Sequence, residues 1–265
     1  MKKLSVVIPT RCEEANIANC IRAFDRFRDD VEIIVVDNSS DDQTKEIALS
    51  FGVKVFDQGP ERCAQRNRGW RESVARHVMF VDADMIVEED TIREILSYIE
   101  QDVEALYVRE VRVGKTLRVK ARNYERSFYD GTVIDALRVI RRDYLERVGG
   151  YDENLTACED WDLDRRLFLS GIKSSVTRGH LLHNEAKQSL KTLLSKKAYY
   201  SISIERYREK WRGDKAMMRQ FSPCYRYFGV FVEDGKWVKV LRHPILFTVM
   251  MLERVAIGIV YLLNR

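Results

Sequence analysis

Two aspartates, Asp82 and Asp84, stand one residue apart at the end of an apolar run, in "FVDADMIVEED" (80–90). Two carboxylates so spaced can hold one divalent metal together with the phosphates it bridges. Hard oxygen ligands of this kind suit Mg2+ or Mn2+, which keep several waters and accept substrate phosphates as ligands. The same spacing also serves as turn and helix-cap chemistry, so the pair acquires meaning only from its surroundings. Other polar stretches end apolar runs in the same way: "PTRCEE" after Val7–Ile8, and Asp37 after "VEIIVV". No G-x-G-x-x-G follows the first such run, which disfavours a dinucleotide redox cofactor, and no G-x-x-x-x-G-K-[ST] is present.

These residues need elements to position them. "LSVVIP", "VEIIVVD", "VKVFDQ" and "HVMFVDAD" are short β-branched or apolar runs that predict strands at 4–9, 31–37, 53–58 and 77–84. Between them, "EEANIANCIRAFDRF", "DDQTKEIALSFG" and "RCAQRNRGWRESVA" carry apolar residues at helical spacing, the second closing on Gly52. The alternation predicts an α/β fold: a doubly wound, mostly parallel, Rossmann-like sheet with ligands beyond the carboxyl ends of its strands. Further strands are expected at "EALYVREVRV" (104–113), in "ALRVI" and at 172–186. Helices are expected in "TLRVKARNYERSFYDG", before Gly149–Gly150, and in "EDWDLDRRLFLSG".

Composition bounds the class. The 265 residues are 45% hydrophobic and 32% charged, which excludes a disordered chain. Forty-five basic against 41 acidic residues, net +4, speak against a nucleic-acid binder. Five scattered cysteines form no C-x-x-C pair and read as reduced thiols. "MKKLSVVIPT" lacks the apolar core of a signal peptide, so this end is expected to stay on the cytoplasmic side.

The tail differs from the rest. "HPILFTVMMLERVAIGIVYLLNR" holds a mostly apolar stretch, Ile245 to Leu263, interrupted by Glu253 and Arg254. A helix of that length spans roughly 29 Å, close to a bilayer's hydrocarbon core. Charges near its middle make an interfacial or re-entrant helix a rival to a clean span, and packing on the domain a third reading. The preceding segment mixes Tyr, Phe and Trp with Arg and Lys, as headgroup regions do. The expected division is a catalytic domain over 1–214 and an interfacial or transmembrane helical tail over 215–265.

The order of "VVIPTRCEEANI", "IIVVDNSSDDQT", "CAQRNRG", "FVDAD", "VGGYDE" and "EDWDLDRRLFLSG" resembles the inverting family 2 glycosyltransferases of the GT-A fold, including dolichyl-phosphate mannosyltransferase-like and cellulose-synthase-like enzymes. The resemblance implies that Pro9, Thr10 and Glu13 line a nucleotide pocket and that Asp37 meets base or ribose. It implies Arg66 and Asn67 near ribose and phosphate, Asp82 on ribose or metal water, and Asp84 on the metal, with His183 near metal or diphosphate. Gly149 and Gly150 would form an acceptor-side turn. Asp160, with Glu159 beside it, would be the general base that removes the acceptor hydroxyl's proton. Asp162 and Arg165 would brace their helix.

The expected cofactor is Mn2+ or Mg2+. The expected donor is a nucleotide-sugar, GDP-mannose first and a UDP-sugar such as UDP-glucose second. The expected acceptor is a lipid-linked polyprenyl or dolichyl phosphate, met at the cell membrane by a catalytic domain facing the cytoplasm. Arg118, Lys120, Arg122 and Arg126 could meet lipid phosphates there. A nucleotidyltransferase would want a glycine-rich basic loop after the first strand, which "TRCEEAN" lacks. A catalytically silent sugar-nucleotide-binding scaffold is the rival of another class.

Overall fold

The computed structural model describes residues 2–184, 200 and 202–263, the last seven as helical backbone only. Eight strands form one sheet: β1 (Leu4–Thr10), β2 (Val31–Asp37), β3 (Lys54–Asp57), β4 (His77–Phe80), β5 (Met85–Val87), β6 (Ala105–Arg112), β7 (Leu137–Arg141) and β8 (Ser174–His183). Their spatial order is β3-β2-β1-β4-β7-β6-β8-β5. The first four pair in parallel, as their crossover helices require. The second half is mixed: β7 runs antiparallel to β4 and β6, β6 parallel to β8, and β5 antiparallel to β8. The sheet is therefore mixed rather than mostly parallel, because β7 enters between β4 and β6 in the opposite sense.

The alternation of side chains builds two cores. Val6, Ile8, Ile33, Val35 and Met79 face one side, under α1 (Ile17–Arg22) and α4 (Glu89–Glu100). Val7, Ile34, Val36, Val78 and Phe80 face the other, under α3 (Arg62–Glu72), α6 (Arg142–Val148) and α7 (Glu159–Leu169). Each such buried side chain contributes roughly 1.5–3 kcal/mol relative to exposure. Gly69 lets α3 lie flush on β1, since a Cβ there would stand 2.2 Å from Val7 Cγ1. That close seating fixes where the first turns of α3 deliver their polar side chains. Helix α2 (Thr44–Ser50) fills the connection from β2 to β3.

The expected fourth strand ends earlier than the sequence pattern implies. Val81 N still donates to Val7 O (3.1 Å), but the chain then turns through Asp82–Asp84 into the short edge strand β5, with Met85 N donating to Asp82 O (3.0 Å). The loop after β8 is described only to Asn184; Glu185 and Ala186, expected in it, lie outside the described residues.

The C-terminal part packs on α5 (Leu117–Arg126). Ala121, Tyr124 and Phe128 form a third core with Tyr225, Val230, Phe231 and Met250. Among the described residues no helix is long and apolar enough to cross a membrane. Three of the four cations expected to meet lipid phosphates have protein partners instead: Arg118 and Arg122 with Glu253 (3.1 and 3.2 Å), and Arg126 with Glu110 and Asp135 (3.2 and 3.3 Å). Lys120 stays exposed.

Candidate active-site cleft

A cleft of about 630 Å³ opens beyond the carboxyl ends of β1 and β4. Its walls come from the β1–α1 loop (Pro9, Thr10, Glu13), the start of α3 (Arg62), the turn after β4 (Asp82, Asp84), the start of α7 (Glu159) and the end of β8 (His183). Parallel strands ending side by side leave such a crevice because their connections diverge to opposite faces.

The two aspartates of the turn have different partners. Asp82 Oδ1 accepts from Arg66 Nη2 at 3.0 Å, and Oδ2 lies 3.6 Å from Arg138 Nη1. Burial alone would raise its pKa; the charges of Arg66, Arg138 and Arg62 outweigh burial and hold it well below the usual carboxylate range. Asp84 Oδ2 instead lies 3.2 Å from His183 Nε2. His183 Nδ1 lies 2.8 Å from Glu110 Oε1, and Glu110 Oε2 accepts from Arg126 and Arg138. Burial works against a charged imidazole, but the two carboxylates overcome it and raise His183 to about 10. Burial likewise opposes Glu110's ionisation, yet His183 and the arginines bring it down to about 2. Asp160, Arg66, Asp82, Arg138, Glu110, His183 and Asp84 thus form one chain of alternating charge, of which Asp82, His183 and Asp84 reach the cleft.

At the other wall, Cys158 in the left-handed conformation (φ 61°) turns the chain into α7, and Glu159 and Asp160 occupy its first turn. Asp160 Oδ1 accepts from Arg66 Nη1 at 3.0 Å; Glu159 Oε1 lies 3.7 Å from the same nitrogen. Arg66 is wholly buried, with its guanidinium over the Tyr151 ring. Glu159 is buried beside Asp160, and burial followed by that neighbour's charge raises its pKa to about 7, despite Arg66 and Arg62. A carboxyl group poised near neutrality is suited to proton transfer.

Not every expected residue faces the cleft. Asp37 lies behind its wall: its two carboxylate oxygens accept from Ser40 N (2.8 Å) and Ser40 Oγ (2.6 Å), and Asn38 takes the wall position. Asn67 points to the loop after α6, donating to Tyr151 O and Glu153 and accepting from Tyr151 N and Trp70 Nε1. Gly149 and Gly150 close α6, with Gly150 N donating to Leu145 O at 2.9 Å. A Cβ on Gly150 would stand 2.5 Å from Asn67 Oδ1. Arg66 reaches the cleft through Asp82 and, at 3.7 Å, through Glu159; its third partner, Asp160, stands next to the wall residue Glu159 but is not itself part of the lining. Asp162 and Arg165 brace α7, the first through Arg166 and Trp211, the second through Asp214.

The structure also adds residues. Arg62 lines the cleft with an exposed side chain and makes no ion pair with a described residue, though Asp82, Glu159 and Asp160 lie close enough to favour its charge; it is a cation within reach of an anionic ligand. Thr10 Oγ1 is buried at the cleft and lacks a described partner. Arg138 and Glu110 hold Asp82 and His183. The sequence does carry a signal for Arg138, a charge inside the buried strand "LRVI"; for Arg62 it carries none.

Asp84 offers an oxygen donor and His183, once a cation displaces the proton of its Nε2, a nitrogen donor at the same point, with Glu110 orienting the imidazole as outer partners of metal-binding histidines do. This donor set fits a borderline-hard divalent cation such as Mn2+ at least as well as Mg2+. Among the described residues no group of three or more His, Cys, Asp or Glu converges to hold a metal. Phosphate oxygens and water would therefore have to complete the shell.

Comparison with known families matches residues 5–149 to "Glycosyl transferase family 2". Among curated proteins, the "Probable glycosyltransferase YdaM" of Bacillus subtilis (strain 168) is 27% identical over 201 residues, 64% of this chain and 48% of that protein. The chain spans less than half the length of the first curated relatives it matches. Among solved structures, S. aureus TarS 1–349 in complex with UDP-GlcNAc superposes with a TM-score of 0.62 at 20% identity, over 92% of this chain and 78% of that one. Mannosyltransferase PcManGT from Pyrobaculum calidifontis, in complex with GDP-Man and Mn2+, gives 0.62 at 16% identity, over 97% and 80%. These likenesses establish the fold as GT-A-like.

Proposed function

The chain belongs to glycosyl transferase family 2, and from that premise we propose that it transfers a sugar from a nucleotide-sugar to an acceptor hydroxyl in a single, inverting displacement. One observation carries the reading: a cleft at the strand ends sets the Asp84–His183 pair in one wall and Glu159 in another, with Arg62, which makes no ion pair with a described residue, also in the lining.

Pro9, Thr10, Glu13 and Asn38 would form the nucleoside side, where the buried Thr10 hydroxyl, without a partner among the described residues, could bond a ligand group. Asp84 and His183 would hold the divalent cation, which supplies charge neutralisation on the diphosphate when bound. Arg62 would add a second positive group to the same diphosphate. Arg66, fixed between Asp82 and Asp160, keeps both walls in register. Asp160, with Glu159 beside it, would take the proton of the attacking hydroxyl, and no covalent sugar–enzyme intermediate is required.

GDP-mannose is the first donor candidate: PcManGT, whose structure contains GDP-Man and Mn2+, has a fold similar to nearly the whole of this chain. A UDP-sugar is the second, favoured by the equal likeness to TarS with UDP-GlcNAc. The acceptor proposed is a lipid-linked phosphate at the membrane's cytoplasmic face, supported by the exposed apolar surface of the C-terminal part. Thermal-shift titration with GDP- and UDP-sugars, with and without Mn2+, tests the donor reading. A metal-dependent shift with one nucleotide class is expected; no shift with either class would remove the proposal.

A further inference from the structure

The helix Pro244–Leu263 is built inside out. Its two charges face protein: Glu253 meets Arg118 and Arg122, while Arg254 is buried against Glu125, Tyr129 Oη and Arg226 O. Its outward stripe is apolar, with Ile245, Leu252 and Val255 at helical spacing and between 48% and 72% exposed. Thr248, on the same stripe, turns its hydroxyl back to Pro244 O at 2.9 Å. A helix on a water-facing surface shows the reverse arrangement.

The preceding segment continues the stripe. Phe228, Val232, Trp237 and Leu241 are all more than half exposed, and a groove of about 190 Å³ runs between Phe228, Trp237, Leu241 and Phe247. Contiguous apolar surface of this kind marks an interaction site. The charge around it selects the partner. Residues 215–243 hold six Lys or Arg against two Asp or Glu; Arg219 and Lys236 pair with Glu233 and Lys239 bonds Ser127 O, whereas Arg242, next to Leu241 of the patch, is exposed and makes no ion pair with a described residue. Aromatic and aliphatic side chains within a cationic segment suit an anionic lipid headgroup layer, whereas a second copy of the same surface would set like charges against each other.

We infer that this face docks flat on an anionic bilayer, inserting Trp237, Leu241, Ile245 and Leu252 to the depth of the acyl boundary, without a membrane crossing. The inward charges are then explained. Glu253 and Arg254 tie the helix to α5 and stay out of lipid, and the apolar stripe is left for it. The helix beneath the docking face, α5, follows directly on the strand that borders the cleft wall. Arg112, which ends β6 just before α5, pairs in register with His183 of the cleft wall.

The test uses the full chain and sedimentation with vesicles of phosphatidylcholine mixed with phosphatidylglycerol, against phosphatidylcholine alone. Strong pelleting with the anionic vesicles, weakened by salt, is expected. Removing one buried Leu or Ile contact costs about tenfold or more in partition, so Leu241→Glu with Ile245→Glu should reduce binding at least about a hundredfold. Neither residue belongs to the cleft, so nucleotide binding should be unchanged in the double variant, and that measurement keeps this inference separable from the donor reading. As a second readout, lipids brominated in the acyl chain should quench wild-type tryptophan fluorescence, and Trp237→Phe should remove most of that quenching. Absence of vesicle binding by the wild-type chain, quenching unaffected by Trp237→Phe, or a concentration-dependent dimer dissolved by the double variant would each overturn the inference.

Discussion

Replacing Glu159 by Gln should stabilise the protein, and only above a definite pH. The carboxyl group has an ordinary value of 4.5 and is raised to about 7 by burial and by the charge of Asp160. Below about pH 4.5 it is protonated in both the folded and the unfolded chain and contributes no pH dependence. Between about 4.5 and 7 the unfolded chain ionises while the folded one keeps its proton, so stability falls as pH rises. Above about 7 the full penalty applies, of order 3 kcal/mol at most. The substituted amide cannot ionise and keeps nearly the same shape. Glu159→Gln should therefore come close to the parent at pH 4 and exceed it at pH 8, by roughly 5–10 °C in Tm for a chain of this size. Chemical or thermal denaturation of both proteins at the two pH values is the assay. Asp160→Asn removes part of the cause, so the two substitutions should be less than additive at pH 8. An equal effect at both pH values, or a loss that grows with pH, would refute the assigned strain between buried carboxylates.

Arg66→Met leaves Asp82, Asp160 and Glu159 without their shared cation, and urea denaturation should show a loss of about 3–5 kcal/mol. Asp160→Asn should keep nucleotide binding by calorimetry while transfer falls about 10²–10⁴-fold. Asp84→Ala should abolish any Mn2+-dependent part of the donor's thermal shift and leave the metal-free protein folded by circular dichroism. Gly150→Ala meets both a positive φ and the Asn67–Trp70 contact, so Tm should fall by the equivalent of about 1–3 kcal/mol with KM for the donor unchanged.

Much of the positioning frame is legible in the chain itself. Runs such as "VVIP" and "EIIVV" alternate between two buried faces, and that pattern alone implies helices on both sides of a sheet with polar residues gathered at its strand ends. Asp82, Asp84 and Glu159 could be found this way because their chemistry is local: each follows an apolar strand or opens a helix. The division of labour among them could not. Asp82 is claimed by Arg66 and Arg138, Asp84 by His183, and Asn67 and Asp37 by neighbours behind the cleft, through contacts that join segments as far as 99 residues apart. Sequence spacing says which side chains share a strand end, not which buried cation compensates each one. The tail makes the same distinction. Its apolar length and its two charges are plain in the sequence, but whether Glu253 and Arg254 face lipid, water or protein was decided by Arg118, Arg122 and Glu125 on α5. Local pattern determines what a segment can bury; only tertiary packing determines which of its charges find partners, because an ion pair requires two groups from distant parts of the chain at one place.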